Sequence, residues 1–212
     1  MPHDRKPETL TGDATLELPE FRNPPPDPIE LLDSWVESAI EGEVREPLAV
    51  VLATAGADGA PSTRIVLIKS IDCRGVTFGT HLQSRKGREA DESPSAAGTL
   101  YWRETMQQIN FAGHLEALSP AESDSLFQNR AELSRASAIA SRQSETLEDE
   151  SALRAATDEV AESGRLDRPD TWGGFRLAIE RIEFWHGSRD RLHRRLEYSK
   201  SASGWTSRRL QP

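Results

Sequence analysis

Two short runs place cations where an acidic chain has little other need of them. The first is Arg64-Ile65-Val66-Leu67-Ile68-Lys69, an apolar run bracketed by a guanidinium and an ammonium. As a strand it alternates, with Arg64, Val66 and Ile68 on one face and Ile65, Leu67 and Lys69 on the other. A ligand with a flat aromatic ring and a phosphate suits such a strand, since its ring heteroatoms can pair with backbone groups while its charge meets the cations. Solubilising the strand ends would use the same residues, and this run alone does not separate the two readings. The second run is Ser84-Arg85-Lys86, at the opening of a short helix. A hydroxyl, a guanidinium and an ammonium beside free helix N–H groups favour a phosphate. Plain surface charge is the competing reading.

Further groups add amide, aromatic and cationic chemistry. Gln107 and Gln108 open an otherwise apolar strand, where an amide can donate to or accept from the heteroatom edge of a ring. Gln143-Ser144 follows, and then Trp185, Arg191, His193 and Arg195, which are expected to alternate down one face of a strand region. His193 stands among arginines and can carry a proton or meet an anion, because imidazole titrates near neutral pH. A structural or surface histidine is the commoner use. His3, His81, His114 and His186 show no paired spacing with carboxylates or Cys73 that specifies a metal, so none is expected. No GxGxxG, Walker A or GxSxG pattern occurs, which sets aside nicotinamide, nucleoside-triphosphatase and serine-hydrolase readings.

The elements that must position these residues follow from pattern and punctuation. The 212 residues suffice for one domain with a substantial core. Residues 1–26 are polar and end in Pro24-Pro25-Pro26, the composition of an extended or mobile arm, so the folded domain is expected over 27–212. Asp27-Pro28 reads as an N-cap and first-turn proline for a helix to about Gly42, with Ile29, Leu32, Trp35, Val36 and Ile40 on its apolar stripe. Strands are expected over 48–54, 62–71, 75–80, 96–103 and 107–118, with a short helix at 84–92, which suggests an antiparallel barrel or meander. Ser119, Pro120 and Glu122 open a helical excursion over about 120–164, too poor in apolar residues for a second core. Strand character returns at 174–185, 191–198 and 204–210. The fold class is therefore mainly β with α.

Charge and composition exclude other classes. A formal charge of −9 argues against nonspecific adhesion to nucleic acid, which depends on cations displacing counterions from phosphates. The single cysteine, Cys73, permits no intrachain disulfide, and no apolar run approaches the roughly 20 residues that cross a bilayer. A soluble, cytoplasmic protein without a membrane or nucleic-acid partner is expected.

Taken in order, Arg64–Lys69, Ser84-Arg85-Lys86, Gln108, Gln143-Ser144, Ile182-Glu183-Phe184-Trp185 and Arg191-Leu192-His193-Arg194-Arg195 resemble the signature of the pyridoxine-phosphate oxidase family. Trp172-Gly173-Gly174-Phe175 fits the same family. The resemblance implies a homodimeric split β-barrel with surface helices and FMN sites built from both subunits. Arg64, Ile65, Val66, Leu67, Ile68, Lys69, Ser84, Arg85 and Lys86, with Gly79 and Thr80 alongside, would hold the FMN phosphate, ribityl chain and ring edge. Gln108 would contact the ring, and Gln143, Ser144, Trp185 and Arg195 would complete the pocket. For the substrate the resemblance implies Lys69, Arg130, Ser134, Arg191 and His193.

Two departures bear on substrate choice. Where the vitamin B6 enzymes grip a substrate phosphate with lysine, tyrosine, arginine and serine, this chain has Lys69, Leu126, Arg130 and Ser134. Losing one hydrogen bond to a charged group costs about 1.5–3 kcal/mol. The arginine-rich N-terminal motif of those enzymes is also missing. By contrast, Val44-Arg45-Glu46-Pro47, Leu100-Tyr101-Trp102-Arg103-Glu104, Ser141–Leu147 and the terminal Leu210-Gln211-Pro212 look like the phenazine-biosynthesis flavin oxidases. The expected activity is oxidation of reduced phenazine carboxylates toward the aromatic ring, with O2 as acceptor. Two alternatives stand beside it: pyridoxine/pyridoxamine 5'-phosphate oxidation, and a flavin-binding protein without turnover.

Overall fold

The computed structural model describes residues 10–212. Nine strands form one antiparallel sheet in the order β2-β1-β5-β6-β7-β4-β3, with β8 added to β7 and β9 to β8. They are β1 (Ala49–Ala55), β2 (Pro61–Leu67), β3 (Ser70–Asp72), β4 (Gly75–His81), β5 (Ser95–Trp102), β6 (Gln107–Ala117), β7 (Trp172–His186), β8 (Arg194–Ser201) and β9 (Gly204–Arg209). The helices are α1 (Pro28–Glu41), α2 (Arg85–Glu92), α3 (Pro120–Gln128), α4 (Glu132–Ala140) and α5 (Glu150–Ser163).

β7 organises the sheet. One edge pairs with β6 from Phe175 to His186, while its other edge pairs with β4 over Trp172–Ala178 and then with β8 over Arg181–His186. The change of neighbour coincides with a register shift in β6 at Ala112/Gly113. A Cβ on Gly113 would sit 1.8 Å from the Ala178 carbonyl oxygen, so only glycine admits this approach. Trp172 and Trp185 consequently lie at opposite ends of one long strand, roughly 40 Å apart along its length.

α1 plugs the interior of the curled sheet. Asp27 accepts from the Ile29 N–H at 2.8 Å, Pro28 supplies a preset first turn, and Ile29, Leu32, Trp35, Val36 and Ala39 are buried. Trp35 meets Phe184 edge-on at 5.1 Å, and Phe184 meets Tyr198. Ile40, expected on the buried stripe, is 52% exposed in the last turn of the helix. α3 opens with a capping box between Ser119 and Glu122, and α5 buries none of its residues, in keeping with a surface excursion.

Two boundaries differ from expectation. The run expected as one strand over 62–71 divides into β2 and β3: Ile68, 2% exposed, turns into the core, its N–H donating to Leu48, while Lys69 N–H donates to Thr77 on β4. Residues 10–26, expected as an extended or mobile arm, are fastened to the sheet. Tyr198 Oη donates to Pro25 O, Arg209 to Phe21 O and Trp35 Nε1 to Glu20 Oε1, and Phe21 is 2% exposed. Their polarity hid the aromatic and carboxylate anchors. The rest of the expected arm, residues 1–9, lies outside the described residues. No described helix is long and apolar enough to cross a membrane.

Candidate functional site

β2 ends the sheet, pairing with β1 alone, so its other edge presents unpaired N–H and C=O groups. That edge faces a cavity of about 620 Å³ between β2, the end of β4, the start of α2 and α4. Arg64, Ile65, Val66, Leu67, Lys69, Gly79, Thr80, Arg85, Lys86, Gln143 and Ser144 line it, together with Arg130. Segments far apart in sequence thus converge on one cavity. Ile68 does not reach the cavity, being in the core, and Ser84 acts from beneath it, capping α2 by accepting from Gly87 N–H.

One part of the lining gathers polar groups around Lys86. Lys86 Nζ donates to Thr80 Oγ1 at 2.9 Å, Gln143 Oε1 at 2.9 Å and Ser84 Oγ at 3.3 Å, all neutral oxygens. Burial, and then the neighbouring Arg64, pull the Lys86 ammonium down to about 8, with Glu89 opposing them. The Arg85 N–H donates to Ser144 Oγ at 3.2 Å, tying the start of α2 to the Gln143-Ser144 loop, where Ser144 takes a left-handed φ of 74°. A buried ammonium with only neutral partners, beside the N-terminus of a helix, gains from a phosphate.

Glu89 is a supporting residue that sequence reasoning missed. Burial raises its pKa, but hydrogen bonds from Ser62, Thr54, Arg85 and Arg64 outweigh burial and bring it to about 2. It accepts from Arg85 Nε at 2.8 Å and Arg64 NH2 at 3.1 Å, and from the Ser62 and Thr54 hydroxyls. The carboxylate thereby fixes two guanidiniums that line the cavity. The i,i+4 spacing from Arg85 to Glu89 was a usable signal; Thr54 and Ser62, on other strands, gave none.

The lining also includes Lys69, Arg130, His81, Trp172, Ser137 and Ser141. Arg130 lies over the Trp172 ring at 5.2 Å and donates to the Ser134 carbonyl oxygen, while its Nε has no partner. Burial, then Lys86 and Arg130, lower the His81 pKa and keep the ring neutral. Ser134 does not line the cavity; Ser137 and Ser141, one and two turns further along, take that wall instead.

The remaining expected residues gather elsewhere. Gln108, Trp185 and Arg195 stand in register across β6, β7 and β8, and none of them lines the cavity. Arg195 makes a two-pronged contact with Glu183, at 2.6 and 2.9 Å. His193 stacks on Trp185 at 4.8 Å, and its Nδ1 accepts from the Ser188 N–H. The expected alternation of Arg191, His193 and Arg195 down a strand is not observed. β8 starts at Arg194, and Arg191 sits in a turn with φ 68°, so His193 reaches Trp185 from a loop.

This arrangement matches known proteins along nearly the whole chain. The family model for pyridoxamine 5'-phosphate oxidase matches residues 36–164, and that for the pyridoxine 5'-phosphate oxidase C-terminal dimerisation region matches 172–212. The chain belongs to the pyridoxamine 5'-phosphate oxidase family. Within it, the chain is 47% identical to the dihydrophenazinedicarboxylate synthase of Pseudomonas chlororaphis, over 97% of this chain and 93% of that one. It is 44% identical to the pyridoxine/pyridoxamine 5'-phosphate oxidase of Herminiimonas arsenicoxydans, over 88% and 90%. Among solved structures, PhzG from Burkholderia lata 383, in complex with tetrahydrophenazine-1-carboxylic acid, superimposes with a TM-score of 0.92 at 46% identity, over 95% of this chain and 100% of that one. An FMN-binding protein from Nostoc punctiforme shares the oxidase-family fold, with a TM-score of 0.70 at 16% identity, over 87% and 98%.

Proposed function

We propose that this protein is an FMN-dependent oxidase of phenazine biosynthesis, acting on reduced phenazine carboxylates with O2 as electron acceptor. The observation that carries the cofactor reading is the buried Lys86 ammonium, held among neutral oxygens at one end of a cavity whose wall is the free edge of β2. That combination fits a phosphate joined to a flat heterocycle. Lys86, Arg85, Ser144 and the start of α2 hold the phosphate, and backbone groups on the free edge of β2, within Arg64–Leu67, hold the ring edge. Bound FMN supplies two-electron acceptor chemistry, with O2 as the final oxidant.

The substrate class rests on the likeness to the Pseudomonas synthase and to the Burkholderia PhzG complex. In this chain Lys69 and Arg130 are the cavity cations left for a substrate carboxylate, and Leu126 stands where the vitamin enzymes have a phosphate-binding tyrosine. The row Gln108–Trp185–Arg195, with His193, completes the cavity of the other protomer in a homodimer. The exposed apolar strip of Val51, Ile65 and Leu67 beside the cavity supports such a contact.

Anaerobic stopped-flow mixing of the FMN-loaded enzyme with a reduced phenazine carboxylate, or with pyridoxine phosphate, tests the proposal. Rapid bleaching of the flavin by the phenazine compound alone is expected. Bleaching by pyridoxine phosphate would assign the chain to vitamin B6 metabolism, and bleaching by neither would leave a flavin-binding protein without this activity.

A further inference from the structure

The two internal runs that look like the phenazine branch and lie outside the cofactor contacts, Val44–Pro47 and Leu100–Glu104, meet in space. They form a second cleft of about 550 Å³, lined by Arg45, Tyr101, Arg103 and Glu104 and closed by residues 11–13. Three contacts hold it together. Buried Trp102 donates from Nε1 to the Pro47 carbonyl oxygen at 3.1 Å, fixing the Arg45 loop to the end of β5. The Asp13 N–H donates to Glu104 O at 2.8 Å, and Gly12 lies so close to the Arg103 and Glu104 carbonyls that a Cβ would stand 2.2 and 2.6 Å from them. Left-handed backbone at Glu43, Glu46 and Met106, none of them glycine, flanks the same cleft. Strain of this kind persists only where surrounding structure enforces it.

The cleft adjoins the row that completes the flavin site. Tyr101 is the cross-strand neighbour of Gln108, which is in turn the neighbour of Trp185. The Tyr101 ring is 49% exposed. Arg45 and Arg103 have no carboxylate partner among the described residues, whereas Arg64, Arg85, Arg176, Arg195 and Arg208 are all paired. The Asp13 carboxylate, also at the cleft, is occupied by the Thr15 N–H and hydroxyl.

We propose that Arg45, Tyr101 and Arg103 form a specificity subsite that receives the outer ring and second carboxylate of a dicarboxylated reduced phenazine. This rests on the function proposed above. Such a substrate is flat and carries two carboxylates. Lys69 and Arg130 of one protomer would meet one of them, and Arg45 and Arg103 of the other protomer, beside the row it contributes to that site, would meet the second. Tyr101 offers a planar face to an outer ring. Glu104, on the same rim, disfavours a bare anion but accepts from a ring N–H, which the reduced tricycle has and its fully aromatic form lacks. A site built for a charged group distinguishes ligands that have it from those that lack it more sharply than an apolar wall does.

The test compares FMN-loaded wild type with an Arg45→Gln/Arg103→Gln double variant. Dissociation constants are measured by calorimetry for stable aromatic phenazines bearing one or two carboxylates, and KM for their reduced forms. The double variant should bind the dicarboxylate about tenfold or more weakly, as expected for lost charge-assisted hydrogen bonds. The monocarboxylate should change by no more than about twofold, with FMN content unaltered. Arg45→Lys/Arg103→Lys should recover most of the loss. Equal losses for both ligands, or none, would overturn the subsite while wild-type turnover still upheld the oxidase reading. A wild type that oxidises neither reduced phenazine would remove the oxidase reading itself, and the subsite with it.

Discussion

The cavity beside β2 and the row on β6–β8 are both made of residues with flavin-binding chemistry, yet they are built on opposite plans. In the cavity wall, Lys86 is satisfied by Thr80, Ser84 and Gln143, and beside it buried Glu89 is satisfied by Arg64, Arg85, Ser62 and Thr54. In the row, Gln108, Trp185 and Arg195 lie side by side on neighbouring strands, partly exposed, with the Arg195–Glu183 pair as their one strong tie. A preorganised network can hold an anion without help, because its reorganisation is complete before the ligand arrives. A surface row cannot, since water competes for each group. Under the proposed function, the difference would make one protomer the carrier of a phosphate grip and, separately, of a ring clamp for another protomer.

Breaking the network should have the largest effect. Glu89→Ala leaves half-buried Arg64 and exposed Arg85 without their carboxylate, and the loss of these charge-assisted hydrogen bonds should cost about 1.5–3 kcal/mol in a urea titration, along with FMN affinity. A Glu89→Ala protein with wild-type stability would mean that the network is ornamental. Next in size, Lys86→Met should weaken FMN binding by about ten- to hundredfold by fluorescence quenching, without a comparable loss of stability.

The comparison itself is sharpened by mixing protomers. Trp185→Ala should weaken FMN binding by about tenfold, although Trp185 does not line the cavity of its own chain. In heterodimers of Lys86→Met with Trp185→Ala, one site inherits both lesions and the other inherits neither. Half of the sites should then bind FMN with wild-type affinity. If no site recovers, cavity and row serve the same protomer.

Acidity supplies a graded test. Because Lys86 falls to about 8 in the ligand-free protein, the phosphate grip is charged at pH 7 and discharges as pH rises through 8. FMN affinity should be level below about pH 7 and decline above pH 8, toward about tenfold per unit while bound Lys86 stays protonated. The sign for the ligand-free fold is opposite. The unfolded chain binds more protons at this lysine between its folded value near 8 and its ordinary 10.5, so Lys86's contribution to stability rises with pH across that window. An FMN affinity flat to pH 10 would disprove the assignment. The smallest effect belongs to Ser62→Ala, which removes one of the two hydroxyls on Glu89 and should cost about 1 kcal/mol in the same urea titration.

Much of this was legible from residue types. Alternation along Arg64–Lys69 placed Ile65 and Leu67 on one face, which the structure leaves exposed, and Ser84 was recognisable at the opening of a helix with cations beside it. Capping logic also fixed α1 and α3. Glu89, Thr54 and Ser62 escaped because a carboxylate's partners on other strands leave no mark in local pattern. Arg191 and His193 were misplaced because alternation continues in sequence through a turn that backbone strain, not side-chain period, defines. The anchoring of residues 10–26 escaped for a related reason: Phe21 and Glu20 find their partners on α1, β8 and β9, nearly two hundred residues away in the last case.

By itself, then, the sequence determined which groups are present and how each short segment folds, because periodicity, capping and turn chemistry act over a few residues. It also determined the family, through the order of its motifs. Only the tertiary structure decided which groups meet. Strand pairing is set by the curvature of the whole sheet, and β7's change of partner from β4 to β8 sends Trp172 and Trp185 to different ends of the molecule. That single topological fact separates the cavity beside β2 from the row on β6–β8. The pairing of β1 with β5 and the Trp102–Pro47 hydrogen bond bring Arg45 and Arg103 to one cleft that no local pattern spans.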